Sequence, residues 1–231
     1  MEVDLSNKKK KRNIKLIISF IVSSFTIVIL SFVISIYFAI GYLLCLVVHE
    51  LGHIIIAKKL NKKIYFAGIT PLGAYVEIED RNDCKESFLI GIGGPLAGLF
   101  LALIYLLIFY FTKTQDVFLL AKVSTILSLF NLIPLQPLDG GMVAEALSPK
   151  LCYFGFPILI YLFVDNDRLK SRVIIIMIMI VGFFMTLEYE RKRKKRKYYN
   201  IDKKTKLKYT VLYGLLVVIL FVLAIYLNWI Y

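Results

Sequence analysis

His49 and His53 stand four residues apart in "CLVVHELGHIIIA", Cys45 to Ala57, and Glu50 directly follows the first of them. On an α-helix, residues at i and i+4 share a face one turn apart, so both imidazoles would point the same way with the carboxylate beside them. Two imidazole nitrogens so placed can hold Zn2+. A neighbouring carboxylate can then accept a proton from water, which is the chemistry of the His-Glu-x-x-His spacing. The chain contains only two histidines, and both fall in this motif. The bland alternative is a pair of buried histidines donating to carbonyls, with Glu50 merely ion-paired. That alternative loses weight inside an apolar stretch, where ionisable side chains are costly and usually functional.

Zinc held by two imidazoles needs a third protein ligand and an open position. With no third histidine, that ligand must be a carboxylate or a thiolate. Asp139, in "NLIPLQPLDGG" (Asn131–Gly141), is the best-placed acid. Pro134 and Pro137 should break the helix there, and Gly140 and Gly141 let the backbone approach another group closely. Asp139 could instead simply cap the helix that follows. Cys45, one turn before His49, is the rival ligand, although a small apolar filler is the ordinary role of such a cysteine.

These residues must be carried by a membrane protein. Hydrophobic residues make up 59% of the 231, and they fall in long blocks: Ile14–Tyr37, Ala39–Ala57, Phe88–Phe111, Val117–Leu135 and Tyr209–Tyr231. Runs of about 18 apolar residues are the mark of spanning helices. The net charge of +13 is concentrated beside these blocks, at Lys8–Arg12 and Arg191–Lys197. Basic residues so placed set topology by staying cytoplasmic, with attraction to anionic lipid as a secondary effect. No folded polar domain is visible to carry a nucleic-acid patch, so no nucleic-acid partner is expected. The first apolar run is too long for a cleaved signal and should be retained. Cys45, Cys84 and Cys152 lack metal-type spacing and should be free thiols.

Alternation from a cytoplasmic N-terminus predicts an all-α polytopic protein of six to seven transmembrane helices. The first runs outward over about Ile14–Ile34, and the second returns over about Tyr37–Ala57 to Lys58, Lys59, Lys62 and Lys63. The third is Phe88–Phe111 and the fourth Val117–Leu147. Two short apolar runs follow, Leu151–Val164 and Val173–Leu187, and both cross or neither does; Gly155 and Pro157 also allow a re-entrant first run. A last span covers about Leu207–Ile230. His49 lies nine residues before Lys58, roughly 13 Å at the helical rise, which puts the motif in the cytoplasmic half of the membrane. After the second span, Ile64–Asp80 has Pro71, Gly68 and Gly73 and then alternates, so it reads as a membrane-associated β-hairpin or loop. Its strand-like Ala74–Glu79, with Gly73 and Tyr75, could hold an unwound peptide by strand addition. "GIGGPLAG" (Gly91–Gly98) supplies small residues for close helix approach. The whole of 1–231 reads as one membrane-embedded domain, with a core of about 37–147 and C-terminal spans over 151–231.

With "HELGH" in the second span and "NLIPLQPLDGG" in the fourth, the chain resembles the site-2 protease family of intramembrane zinc metalloproteases. It is most similar to the branch containing stage IV sporulation protein FB. "PLGAYVEIE", "GGPLAG" and "LEYERKRKKRKYY" add to the likeness, which covers about Tyr42 to Tyr199. The resemblance implies His49, His53 and Asp139 as zinc ligands, Glu50 as general base, and Asn131 and Pro137 where substrate is engaged. It also implies a membrane-tethered substrate resembling a sigma factor pro-form, cut near the cytoplasmic side, with inhibitory membrane proteins as further partners. The sporulation members often add a nucleotide-sensing domain and other branches a PDZ domain; neither is expected here, where the basic run leads into another apolar span. A metal-site transporter would spread its acids over several spans and has no need of the glutamate beside the first histidine. A non-catalytic scaffold that retains the motif is the other rival.

Overall fold

Among the described residues, Ser35 opens the first long helix: its hydroxyl accepts the N–H of Phe38 at 3.0 Å, an N-cap, and itself donates to the carboxylate of Asp116. The helix it starts, α1, is Ile36–Lys59. It ends in a Schellman turn, with Asn61 in the left-handed region at φ 57°, Lys62 N–H bonded to Ala57 O at 2.9 Å and Asn61 N–H to Lys58 O at 3.0 Å. In this computed structural model, residues 21, 28, 31, 35–70, 73–78, 83–165, 169–193 and 201–230 are described. The expected first span therefore lies outside the described residues apart from Ile21, Val28 and Ser31, as do the basic runs 8–12 and 194–197.

The remaining elements are β1 (Ile64–Thr70), β2 (Gly73–Ile78), α2 (Cys84–Thr112), α3 (Gln115–Asn131), α4 (Asp139–Leu147), a 3-10 turn (Pro149–Phe154), α5 (Gly155–Val164), α6 (Leu169–Arg193) and α7 (Lys203–Trp229). The chain divides into two units, Met1–Glu79 with Ala97–Thr125, and Asp80–Leu96 with Ile126–Tyr231. Helix α2 contributes residues to both.

In the first unit, α1 departs from the pattern of a soluble amphipathic helix. Its buried residues include His49 and His53 beside Phe38, Cys45, Leu46 and Ala57, while Ile40, Leu44, Val47, Leu51 and Ile55 form an exposed apolar stripe. Imidazoles inside and an apolar exterior suit a hydrocarbon solvent. Strands β1 and β2 run beside α1 and pair antiparallel, with Gly68 opposite Tyr75 and Thr70 opposite Gly73. The ladder register shifts between Ile64 and Phe66.

In the second unit, the expected fourth crossing is interrupted. Helix α3 stops at Asn131 and α4 begins only at Asp139, because Pro134 and Pro137 cannot supply the N–H groups a continuing helix needs. The intervening 132–138 is closed by short turns, Leu135 N–H to Ile133 O at 2.7 Å and Leu138 N–H to Leu135 O at 2.9 Å. Neighbouring helices come unusually near it. A Cβ added at Gly155 would sit 2.9 Å from Pro134 O, and one at Gly182 would sit 2.5 Å from Gln136 O. Leu135, Leu138, Leu159 and Ile175 fill the core around the break.

Helix α7 is tied to the start of α2 in the same unit. Phe88 and Tyr209 stack with centroids 4.0 Å apart, and Lys85 lies 3.9 Å from Asp202. Asp202 also caps α7 by accepting the N–H of Thr205 at 2.9 Å, and this bond, with Lys85 contributing less, holds its carboxyl below the usual aspartate range. A depressed folded value means that the cap is fully formed above the ordinary aspartate range and is lost as pH falls through the lowered value.

Among the described residues three helices, α1, α2 and α7, are long and apolar enough to cross a membrane; α5 and the apolar part of α6 (Ile175–Leu187) are shorter, and α3 has 17 residues.

The close approach at the break gives a direct test. Gly182→Ala should destabilise the protein by about 1–3 kcal/mol, because the methyl meets backbone that must shift, and should lower the thermal midpoint in detergent. Gly214→Ala on α7, where an added Cβ meets nothing within 4 Å, should leave that midpoint unchanged or slightly raised.

Candidate metal centre

The i, i+4 spacing on α1 brings His49 and His53 together with ring centroids 5.1 Å apart and planes at 71°. Their nitrogens and a Glu50 oxygen all lie within 4.8 Å of one another. Both histidines are buried, at 4% and 5% exposure, and Glu50 is half-buried. Among the described residues this is the one cluster of three such groups able to hold a metal. Two ligands of a tetrahedral zinc, each about 2 Å from the ion, stand about 3.3 Å apart. The observed nitrogens lie within 4.8 Å of each other on one helix face, and imidazole is an ordinary zinc donor, so the two histidines fit the ion.

Three contacts within the first unit set the depth and rotation of α1. Tyr105 on α2 donates to the carbonyl of Gly41 at 3.2 Å, two turns before His49. Gly41 leaves room for Leu120, whose side chain would lie 2.2 Å from any Cβ there. Ser124 on α3 donates to Gly98 O on α2 at 2.8 Å, which locks the two supporting helices to each other. A buried hydroxyl in hydrocarbon gains from such a bond because lipid offers no alternative partner. Sequence reasoning passed over Tyr105 and Ser124; the only signal was a polar group in an otherwise apolar span.

Cys45, the rival ligand, is fully buried beside the Leu120 carbonyl, with Sγ 4.0 Å from that oxygen; the metal-binding group of His49, Glu50 and His53 includes neither Cys45 nor Asp139. It behaves as a small core residue with a weak thiol donor.

The other expected site residues lie elsewhere along the chain. Asp139, Asn131 and Pro137 belong to the second unit, at the break. Asn131 is the last residue of α3, and its amide donates to Leu127 O at 3.1 Å. Pro137 is exposed and follows a cis peptide bond. Asp139 is the first residue of α4 rather than its N-cap; that position is Leu138, which makes no side-chain cap bond. Gly73 and Tyr75 sit on β2 in the first unit.

Residues 37–118 match Peptidase family M50. A zinc metalloprotease of Methanocaldococcus jannaschii is 33% identical over 124 residues, covering 50% of this chain and 36% of that protein. Stage IV sporulation protein FB of Bacillus subtilis is 34% identical over 112 residues, covering 47% of this chain and 39% of that protein. The matched region thus spans little more than a third of each relative. Among solved structures, the site-2 protease from Methanocaldococcus jannaschii superimposes with a TM-score of 0.50 at 24% identity, covering 80% of this chain and 93% of that one. The stretch that matches the Peptidase family M50 model holds α1 with its buried His49 and His53 and half-buried Glu50, and the chain shares the fold of that site-2 protease.

Proposed function

We propose that the chain is an intramembrane zinc metalloprotease that cuts a membrane-tethered protein near the cytoplasmic boundary. The observation that carries this is the grouping of buried His49 and His53 with half-buried Glu50, all within 4.8 Å, on a helix apolar enough to span. His49 and His53 hold the metal and Asp139 completes its protein ligands. Zinc bound there supplies Lewis acidity toward a peptide carbonyl and toward water. Glu50 accepts the proton of the attacking water and returns it to the leaving amine.

A helical substrate hides its carbonyls in its own hydrogen bonds and must unwind locally before it is cut. In the two-stranded β1–β2 sheet, each strand keeps one edge unpaired among the described residues, which supports strand addition with Gly73 and Tyr75 beside the peptide. Asn131 and Pro137 engage the same substrate. The likeness to a protein named for sporulation extends the proposal to a sigma factor pro-form as the tethered substrate, with inhibitory membrane proteins as regulators. The domain is a single membrane-embedded unit of function with six to seven spans and a cytoplasmic N-terminus, and the β1–β2 pair lies against the membrane's cytoplasmic side.

Co-expression with a tethered substrate, together with metal analysis, tests the activity. Glu50→Gln should reduce cleavage by at least about 100-fold, the usual scale of general acid–base catalysis, while zinc stays bound; a purified variant that still cleaves would remove Glu50 from its role.

The ligand set is tested by zinc content. His49→Ala and His53→Ala should lose the metal, Asp139→Asn should hold less of it, and Cys45→Ser should match the unaltered protein. The opposite order for the last two would make the thiolate the third ligand.

Orientation is read by labelling Lys59→Cys, an exposed position at the end of α1, against three native cysteines that are all buried. The new thiol should react with impermeant reagent only from the cytoplasmic side; reaction from outside inverts the topology.

A further inference from the structure

Helix α7 has no part in the chemistry described above, yet it reaches the break that carries Asp139. Its Tyr213 donates to the backbone carbonyl of Leu132 at 2.6 Å. Had α3 continued, the N–H of Gln136 would have filled that place; the break removes it, and a bare carbonyl among apolar side chains is expensive. The same carbonyl forms the wall against which α4 begins. A Cβ at Gly140 would lie 2.3 Å from Leu132 O, so the backbone next to Asp139 rests almost directly on the atom that Tyr213 holds. On its other side, a Cβ added at Gly91 of α2 would lie 3.1 Å from Asp139 O.

We infer that Tyr213 is a positioning residue: by holding the Leu132 carbonyl it sets the placement of Asp139. The inference rests on the reading of Asp139 as a zinc ligand. A ligand must sit within about 0.5 Å of its productive place, and Leu132–Leu138 has too few internal bonds to hold it there alone. The covalent and van der Waals path from Tyr213 through Leu132 and Gly140 to Asp139 is short and made of backbone. Tyr213 therefore acts on where the carboxylate is, not on its chemistry.

The test compares two variants of the full chain in detergent. Tyr213→Phe keeps the ring and removes only the donor. It should weaken zinc binding about tenfold in competition with a chromophoric chelator, the scale of one lost hydrogen bond, and should speed amide exchange across 132–138 in the zinc-free protein. Leu216→Ala, one turn further along α7 and buried, removes packing without touching the donor. It should lower the thermal midpoint while leaving zinc affinity and the exchange of 132–138 as they are. Unchanged zinc affinity and exchange in Tyr213→Phe overturn the inference, and so does an equal loosening of zinc in Leu216→Ala. If Asp139→Asn leaves zinc binding untouched, the third-ligand reading fails instead, and the zinc-free exchange comparison still decides whether Tyr213 holds the segment.

Discussion

In hydrocarbon every backbone and side-chain polar group must find its partner within the protein, because the solvent offers none. That constraint governs both chemically loaded parts of this chain. Helix α1 keeps its own ladder intact and turns its imidazoles to the buried face with Glu50 half-buried beside them, leaving Ile40, Leu44, Val47, Leu51 and Ile55 for lipid. The segment 132–138 gives up the ladder and meets the constraint differently, with tight turns of its own and a hydroxyl from α7. Irregular backbone in an apolar protein persists only where such substitutes are supplied.

The same solvent alters what holds helices together. Lipid tails are as apolar as leucine, so burying one helix against another brings little hydrophobic gain, and close packing with a few hydrogen bonds must do the work. Tyr105 to Gly41, Ser124 to Gly98 and Tyr213 to Leu132 each join a hydroxyl to a carbonyl on a different element. At about 0.6 kcal/mol apiece these bonds contribute little to total stability. Their value is in rotation and depth: each accepts one register of one helix against the next. Glycines at the break complement them by allowing approaches that any side chain would block.

His49, Glu50 and His53, and most of what surrounds them on α1, were legible in the sequence because their arrangement is local. Helical spacing alone brings residues four apart to one face, and an apolar stretch with one acid and two imidazoles has few bland explanations. The helix break before Asp139 was legible for the same reason, since the missing N–H of proline acts on its own neighbourhood. Bounds of the long apolar helices followed from run length, and α1, α2 and α7 lie within a few residues of the expected limits. Run length misjudged the stretch after Val117, where hydrophobicity continues through 132–135 although the helix does not.

Partners distant in sequence were not legible. Nothing in the residue string links Tyr213 to Leu132, Tyr105 to Gly41 or Phe88 to Tyr209, because a hydroxyl or ring in an apolar span reads alike whether it meets a carbonyl, a neighbour or lipid. Cys45 was ambiguous for a related reason: its spacing allows a ligand, and its burial beside the Leu120 carbonyl came only with the fold. The place of Asp139 as the first residue of α4 likewise came only with the fold. Local spacing dictates which groups share a helix face, whereas the choice among partners separated by tens of residues is made by packing, which exists only once the chain has folded.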